Sequence, residues 1–156
     1  IDKLRHARPD IAMSGDFIVG FPGETDKDFA DTLRLVDSVG YASAYSFKYS
    51  QRPGTPAATD AAQVPEDVKS DRLASLQQLL DAQQFAFNKS SEGATYDVLV
   101  EQKGSRSGQL NGRTPYMQSV YFEGSDNLIG QLVKLEISEA RQNSLTAKPS
   151  LSQEVA

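Results

Sequence analysis

Asp16-Phe17-Ile18-Val19-Gly20-Phe21-Pro22-Gly23-Glu24-Thr25 is the stretch whose reading decides the fold. Its apolar end, Phe17-Ile18-Val19, reads as a buried-type strand, and the glycine-punctuated turn that follows runs straight into a helix start. Thr25 with Asp28 forms a capping-box pattern, Phe29, Leu33 and Val36 share one helical face, and Gly40 supplies a stop. Downstream, Tyr41, Ser43, Tyr45, Phe47 and Tyr49 alternate with Ala42, Ala44, Ser46 and Lys48, the period of a second strand. The expected unit is therefore strand Ile11–Val19, a helix, and strand Tyr41–Tyr49, a parallel pair joined by a right-handed crossover. Its aromatic row is expected in the core, with Tyr49 at the strand end as the exception, because parallel strands are usually covered on both faces. Two such strands cannot bury enough surface alone, so the unit is expected to be part of a larger α/β architecture.

Ligands collect at the carboxyl ends of parallel strands, where loop amides and helix N-termini converge. The Gly20–Thr25 turn either binds a nucleotide-like ligand through its amides or is simply a tight connection. It is neither a Walker loop nor a dinucleotide fingerprint, since it lacks both the Lys-Ser/Thr pair and the G-x-G-x-x-G spacing. The next loop, Ser50-Gln51-Arg52-Pro53-Gly54-Thr55-Pro56, carries Arg52, which is either a carboxylate or phosphate fork or a solvated side chain. Pro65-Glu66-Asp67 then opens a long helix with Val68, Leu73, Leu76, Leu80 and Phe87 on its apolar side.

After Gly93 the period changes from helical to alternating. Tyr96, Val98 and Val100, then Val120 and Phe122, Leu132 to Ile137, and Leu145 mark short strands, with Gly104, Gly108, Gly112, Gly124 and Gly130 at turns. Four or five short strands in this length suggest a small closed barrel of oligonucleotide-binding type. The expected organisation is 1–91 for the α/β part with its long helix, 92–150 for the barrel, and 151–156 as a tail. In the barrel, Lys103, Arg106 and Arg113 are expected to cluster around the glycine turns near Tyr116, offering phosphate contacts and a stacking ring, or else a solvated rim.

Composition narrows the chemistry. The 156 residues carry 16 Lys and Arg against 21 Asp and Glu, a net charge of -5, so any RNA contact must use a local patch. There is no cysteine and a single histidine, His6, which removes disulfides, thiolate nucleophiles and every sulfur-ligated metal site, and leaves His6 as a surface residue in the last turn of a helix. No catalytic residue and no metal ligand is assigned. The charged opening and the lack of a long apolar run point to a cytoplasmic protein without membrane contact. The chain opens at Ile1 with amphipathic residues, as if inside a helix.

The wording of three stretches goes further. Asp16 to Thr25 with Asp28-Phe29 resembles a late barrel strand of the methylthiotransferases, radical S-adenosylmethionine enzymes. Tyr49 to Ala58 is similar to the last barrel strand and loop of the tRNA-modifying members. Leu99-Val100-Glu101, Gly112-Arg113-Thr114, Phe122-Glu123-Gly124, Ile129-Gly130 and Ala140 to Leu145 resemble the family's terminal TRAM domain, a small RNA-binding barrel. The resemblance runs in order from Ile1 to about Ser150. It implies the C-terminal part of a radical-enzyme barrel of partial TIM type followed by an OB-like TRAM barrel. It implies S-adenosylmethionine and two 4Fe–4S clusters as cofactors of the intact enzyme, with the cluster cysteines absent from this chain, so that the chain alone is inactive. Ile18, Gly20, Phe21, Tyr49 and Ser50 would flank the cofactor, and Arg52, Lys103, Arg106, Arg113 and Tyr116 the RNA. The Arg52–Pro56 wording implies isopentenylated adenosine beside the tRNA anticodon as substrate. Implied partners are a tRNA anticodon arm and the N-terminal portion of the same enzyme, with the protein a monomer. Two rivals stand beside this reading: a member that modifies a ribosomal-protein aspartate, and a free-standing RNA-binding module without catalysis.

Overall fold

A computed structural model describes residues 1–150; the expected tail, 151–156, lies outside the described residues. The elements are α1 (Asp2–Ala7), β1 (Ser14–Val19), α2 (Asp26–Val39), β2 (Ser43–Lys48), a 3-10 turn (Pro56–Thr59), α3 (Glu66–Ser90), β3 (Thr95–Lys103), β4 (Gln109–Arg113), β5 (Ser119–Glu123), a second 3-10 turn (Asp126–Leu128), β6 (Leu132–Ala140) and β7 (Leu145–Pro149). Packing divides the chain between Gln83 and Gln84, within α3 and ahead of the expected boundary at 91/92. None of the helices among the described residues is long and apolar enough to cross a membrane.

In the first unit β1 and β2 pair in parallel, from Ser14 opposite Ser43 to Val19 opposite Lys48. The crossover helix α2 starts as its sequence directs: Thr25 accepts from the Asp28 amide while Asp28 accepts from the Thr25 amide, and Gly40 closes it at φ 61°. Val19, Val36, Leu76 and Leu80 form the core, with Phe17, Phe29, Leu33, Tyr41, Ala44 and Leu73 packed around them. The sheet is a two-stranded pair among the described residues, not a barrel.

The expected aromatic core is corrected here. Tyr45 and Phe47 are 71% and 54% exposed, and Ile18, beside Phe47 in the register, is 62% exposed. The helices cover the other face of the sheet, where Ala42 and Ala44 leave room for close packing and Phe17 and Val19 fill the space. Only Tyr41 of the row packs against that core, edge-on to Phe17 at 5.3 Å.

The second unit is a closed barrel in the order β3-β4-β5-β7-β6, with β6 returning to β3. Val98, Val100, Leu110, Val120, Phe122, Leu135, Ile137 and Leu145 fill it. Strand β4 has no alternating signal, and its Gly112 is not at a turn as expected. Gly112 faces Val120 in mid-ladder, and a Cβ there would lie 2.5 Å from the Leu99 carbonyl oxygen, so the close approach of β3 to β4 requires glycine.

An open apolar sheet face of this kind favours association between copies. Sedimentation or light scattering at high protein concentration should show self-association that a Tyr45→Lys/Phe47→Lys double variant reduces; an unchanged scattering mass would contradict the exposed-face assignment.

Candidate functional site

The Gly20–Thr25 turn holds an anion, and the anion is its own. The Glu24 carboxylate accepts the Gly20 amide in a short bond and the Phe21 amide at 3.2 Å. Gly23 N–H donates to Ala62 O at 2.9 Å, Glu24 N–H to Phe21 O at 2.9 Å, and Thr25 N–H to Asp28 at 3.0 Å. Pro22 has no N–H. Every amide from Gly20 to Thr25 is therefore occupied, and the turn is not a vacant cradle for a ligand phosphate.

Behind it lies Arg72 of α3, only 6% exposed. Its guanidinium meets Glu24 Oε1 at 3.5 Å, the Glu24 carbonyl at 3.1 Å and Asp26 at 2.7 Å, with the Phe29 ring centroid 5.6 Å away. One buried cation thus joins the turn, the first turn of α2 and α3. Gly20 sits at φ 74°, and a Cβ there would overlap the Lys69 methylenes of α3, so both backbone conformation and space require glycine.

What remains for a ligand is the surface beside the turn, an open concavity of about 1080 Å³. It gathers Ile18, Phe21, Tyr49, Ser50 and Arg52, five of the residues singled out from sequence, while Gly20 lies at its back against Lys69. Phe21 and Tyr49 pack edge to face at 5.2 Å. The Tyr49 hydroxyl is buried and has no hydrogen-bond partner among the described residues. Sequence reading missed Lys48, Glu66 and Lys69, which also line the concavity. Glu66 takes a short bond from Lys48 Nζ and one of 2.7 Å from Lys69 Nζ. The Lys48 and Lys69 ammoniums pull its carboxyl from the usual 4.5 down to about 2. Only the spacing of Glu66 and Lys69 on one helix turn was visible; that both reach the end of β2 is a tertiary fact.

In the barrel the expected basic cluster is not formed. Strand register sets Lys103 opposite Leu110 and Arg113 opposite Leu99, at opposite ends of the β3–β4 hairpin, roughly 13 Å apart along the strand. Lys103 pairs with Asp126 at 2.5 Å. Arg113 pairs with Glu101 at 3.3 Å and donates to the Met117 carbonyl at 3.1 Å. Arg106, in the exposed hairpin tip, makes no ion pair among the described residues. Tyr116 packs edge-on between Phe87 and Tyr96, at 5.8 and 5.6 Å, as part of an aromatic cluster.

A buried polar network was also invisible in sequence. Gln118 Nε2 donates to Asn88 Oδ1 and Ser91 Oγ, each at 3.0 Å, and its Oε1 accepts from Thr114 Oγ1 at 3.1 Å. Asn88 Nδ2 donates in turn to the Arg141 and Gln142 carbonyls at 3.0 Å. These bonds tie the last turn of α3 to two barrel connections. No group of His, Cys, Asp and Glu able to hold a metal occurs among the described residues.

A closed five-stranded barrel of this order, set after a β-α-β unit with a ligand-sized concavity at its strand ends, defines a catalytic-type α/β element joined to an OB-like module. Residues 89–149 match the TRAM domain family. The chain is 57% identical over 148 residues to the tRNA-2-methylthio-N(6)-dimethylallyladenosine synthase of Novosphingobium aromaticivorans, covering 95% of this chain and 33% of that protein. It is 56% identical to the proteins of the same name from Erythrobacter litoralis and Rickettsia rickettsii, again over 95% of its length and 33–34% of theirs. The chain is thus a relative of the methylthiotransferases and carries their TRAM domain, and it spans about a third of the length of the curated relatives it matches.

Two outcomes test this geometry. Arg72→Met leaves the Glu24 carboxylate without its buried cation and should cost about 3 kcal/mol of first-unit stability in urea unfolding. A loss below about 1 kcal/mol would show that the amides alone hold the turn. Because the Glu66 carboxyl is depressed in the folded state, its contribution is complete above about pH 4.5 and is lost as pH falls toward 2. Acid titration of Glu66→Gln should therefore lack the part of the stability loss that the parent shows in that window.

Proposed function

We propose that the intact protein is a tRNA methylthiotransferase acting on isopentenylated adenosine beside the anticodon, and that this chain is its C-terminal portion. The observation that carries the reading is similarity at 54–57% identity running through both units to synthases of that name. In this reading the β1–β2 pair closes a radical-enzyme barrel whose other strands lie elsewhere in the protein. The exposed face of Ile18, Tyr45 and Phe47 supports it, because such a face in water calls for a cover.

The residues present fit one implied cofactor and not the other. S-adenosylmethionine, the source of methyl group and radical chemistry, has an apolar wall available in Ile18, Phe21 and Phe47, with Tyr49 and Ser50 beside them, in a concavity large enough for an adenosyl group. A 4Fe–4S cluster needs thiolates, and the sequence contains no cysteine, so no step is assigned to a cluster here. The work of this chain's residues is placement: Arg72 and Glu24 hold the turn, the turn sets Ile18 and Phe21 against the ligand, and Arg52 meets the substrate at the mouth. The TRAM barrel grips the anticodon arm, with unpaired Arg106 at an exposed hairpin tip as its first phosphate contact. A tRNA substrate places the protein in the cytoplasm.

Binding of the chain to an anticodon-arm hairpin across a salt series tests this. Arg106→Ala should weaken binding severalfold and lower the salt slope by about one, whereas Arg113→Ala, whose charge Glu101 already engages, should change it less. Absence of binding at low salt would overturn the assignment of RNA contact to this chain.

A further inference from the structure

The concavity beside the Gly20 turn carries more positive charge than its partners neutralise. Lys48 from the end of β2 and Lys69 from the first turns of α3 share one carboxylate, that of Glu66. Arg52, on the same lining, makes no ion pair among the described residues. Three cations therefore face one anion, within a chain of net charge -5. The Lys69 side chain is only 13% exposed and is fixed at three places: its methylenes lie against Gly20, and its ammonium meets Glu66 and the Tyr49 carbonyl, the latter at 3.4 Å. Lys48 is steadied by Ser70 Oγ at 3.3 Å. These are positioned cations, unlike the freely moving lysines of an ordinary surface, so little side-chain entropy is lost when an anion arrives.

What lies beside them selects the anion. Phe21, Phe47 and Tyr49 line the same concavity, and Phe21 and Phe47 are exposed. A fixed excess of positive charge next to exposed aromatic rings is the chemistry that binds a nucleotide, its phosphate on the cations and its base on a ring. The turn amides cannot supply the phosphate contact, since Glu24 already fills them.

We propose that Lys48 and Lys69, with Arg52, form a phosphate-binding corner that positions a nucleotide of a single-stranded RNA segment at this concavity, and that Glu66 tunes the corner by neutralising one of its three charges. The proposal rests on the RNA reading above and extends it to residues outside the TRAM barrel.

The test is an NMR titration of the full chain, following the Gly20 and Phe47 amides, with anticodon-arm hairpin RNA, 5′-AMP, adenosine and inorganic phosphate added separately. RNA and 5′-AMP should both shift these signals, adenosine and phosphate much less, which separates a nucleotide from either of its parts and RNA from a free nucleotide by relative affinity. Lys69→Met should weaken RNA binding about tenfold and reduce the salt slope by about one, and Lys48→Met, at a more exposed position, gives the same reading should Lys69→Met fold poorly. Glu66→Gln should tighten binding severalfold at low salt; a merely structural ion pair predicts lower stability and no tighter binding. Wild-type RNA affinity in both lysine variants, with Arg106→Ala weakened, would overturn the corner and leave the barrel reading standing. Shifts with 5′-AMP that the lysine variants abolish, without any RNA binding, would keep a nucleotide site and overturn the RNA reading. No shift with either ligand would overturn the corner outright.

Discussion

The Arg72–Glu24 pair is the interaction on which the first unit depends. A buried guanidinium is tolerated only with partners, and this one is satisfied by a carboxylate, a carbonyl, a second carboxylate and an aromatic ring. Glu24 in turn neutralises the amides left free where β1 ends. The result is a chain of charge-assisted contacts from α3 through the turn to the strand. It sets Ile18 and Phe21 on the ligand side and Val19 on the core side without help from a ligand. The concavity is therefore preorganised, with its shape determined by ion pairs behind it.

The second unit solves a comparable problem with neutral groups. The amide of Gln118 serves Asn88, Ser91 and Thr114 at once, and Asn88 closes two carbonyls between β6 and β7. Such a network stabilises only when every member is satisfied, which makes the join between the end of α3 and the barrel specific in geometry.

Much of this was legible in sequence where the governing physics is local. The Thr25–Asp28 box, the Gly40 stop and the 3.6-residue period of α2 depend on neighbours a few residues away, and they form where expected. The alternation in Tyr41–Tyr49 correctly announced a strand. Which face would be covered depends on the helices, and those chose the small face. Strand β4 hid because Asn111 and Gly112 are buried there for a hydrogen bond and a close approach, not for apolar area. In the site, Ile18, Phe21, Tyr49, Ser50 and Arg52 were found because the strand ends converge, whereas Lys48, Glu66 and Lys69 meet only in the folded unit. The expected basic cluster failed for a simple reason: neighbours in sequence separated by a hairpin turn are carried to opposite ends of the ladder.

The barrel's closure also limits how it can recognise anything. With β6 hydrogen-bonded to β3, the sheet has no outer strand whose backbone could accept an added peptide. Recognition by strand addition, which reads main chain and tolerates varied side chains, is closed to this module. Its selectivity must come from side chains on its outer surface and from the connections between strands, the parts of a barrel free to vary without disturbing the ladder. A barrel built this way can change what it binds by altering a few surface residues while its core stays the same.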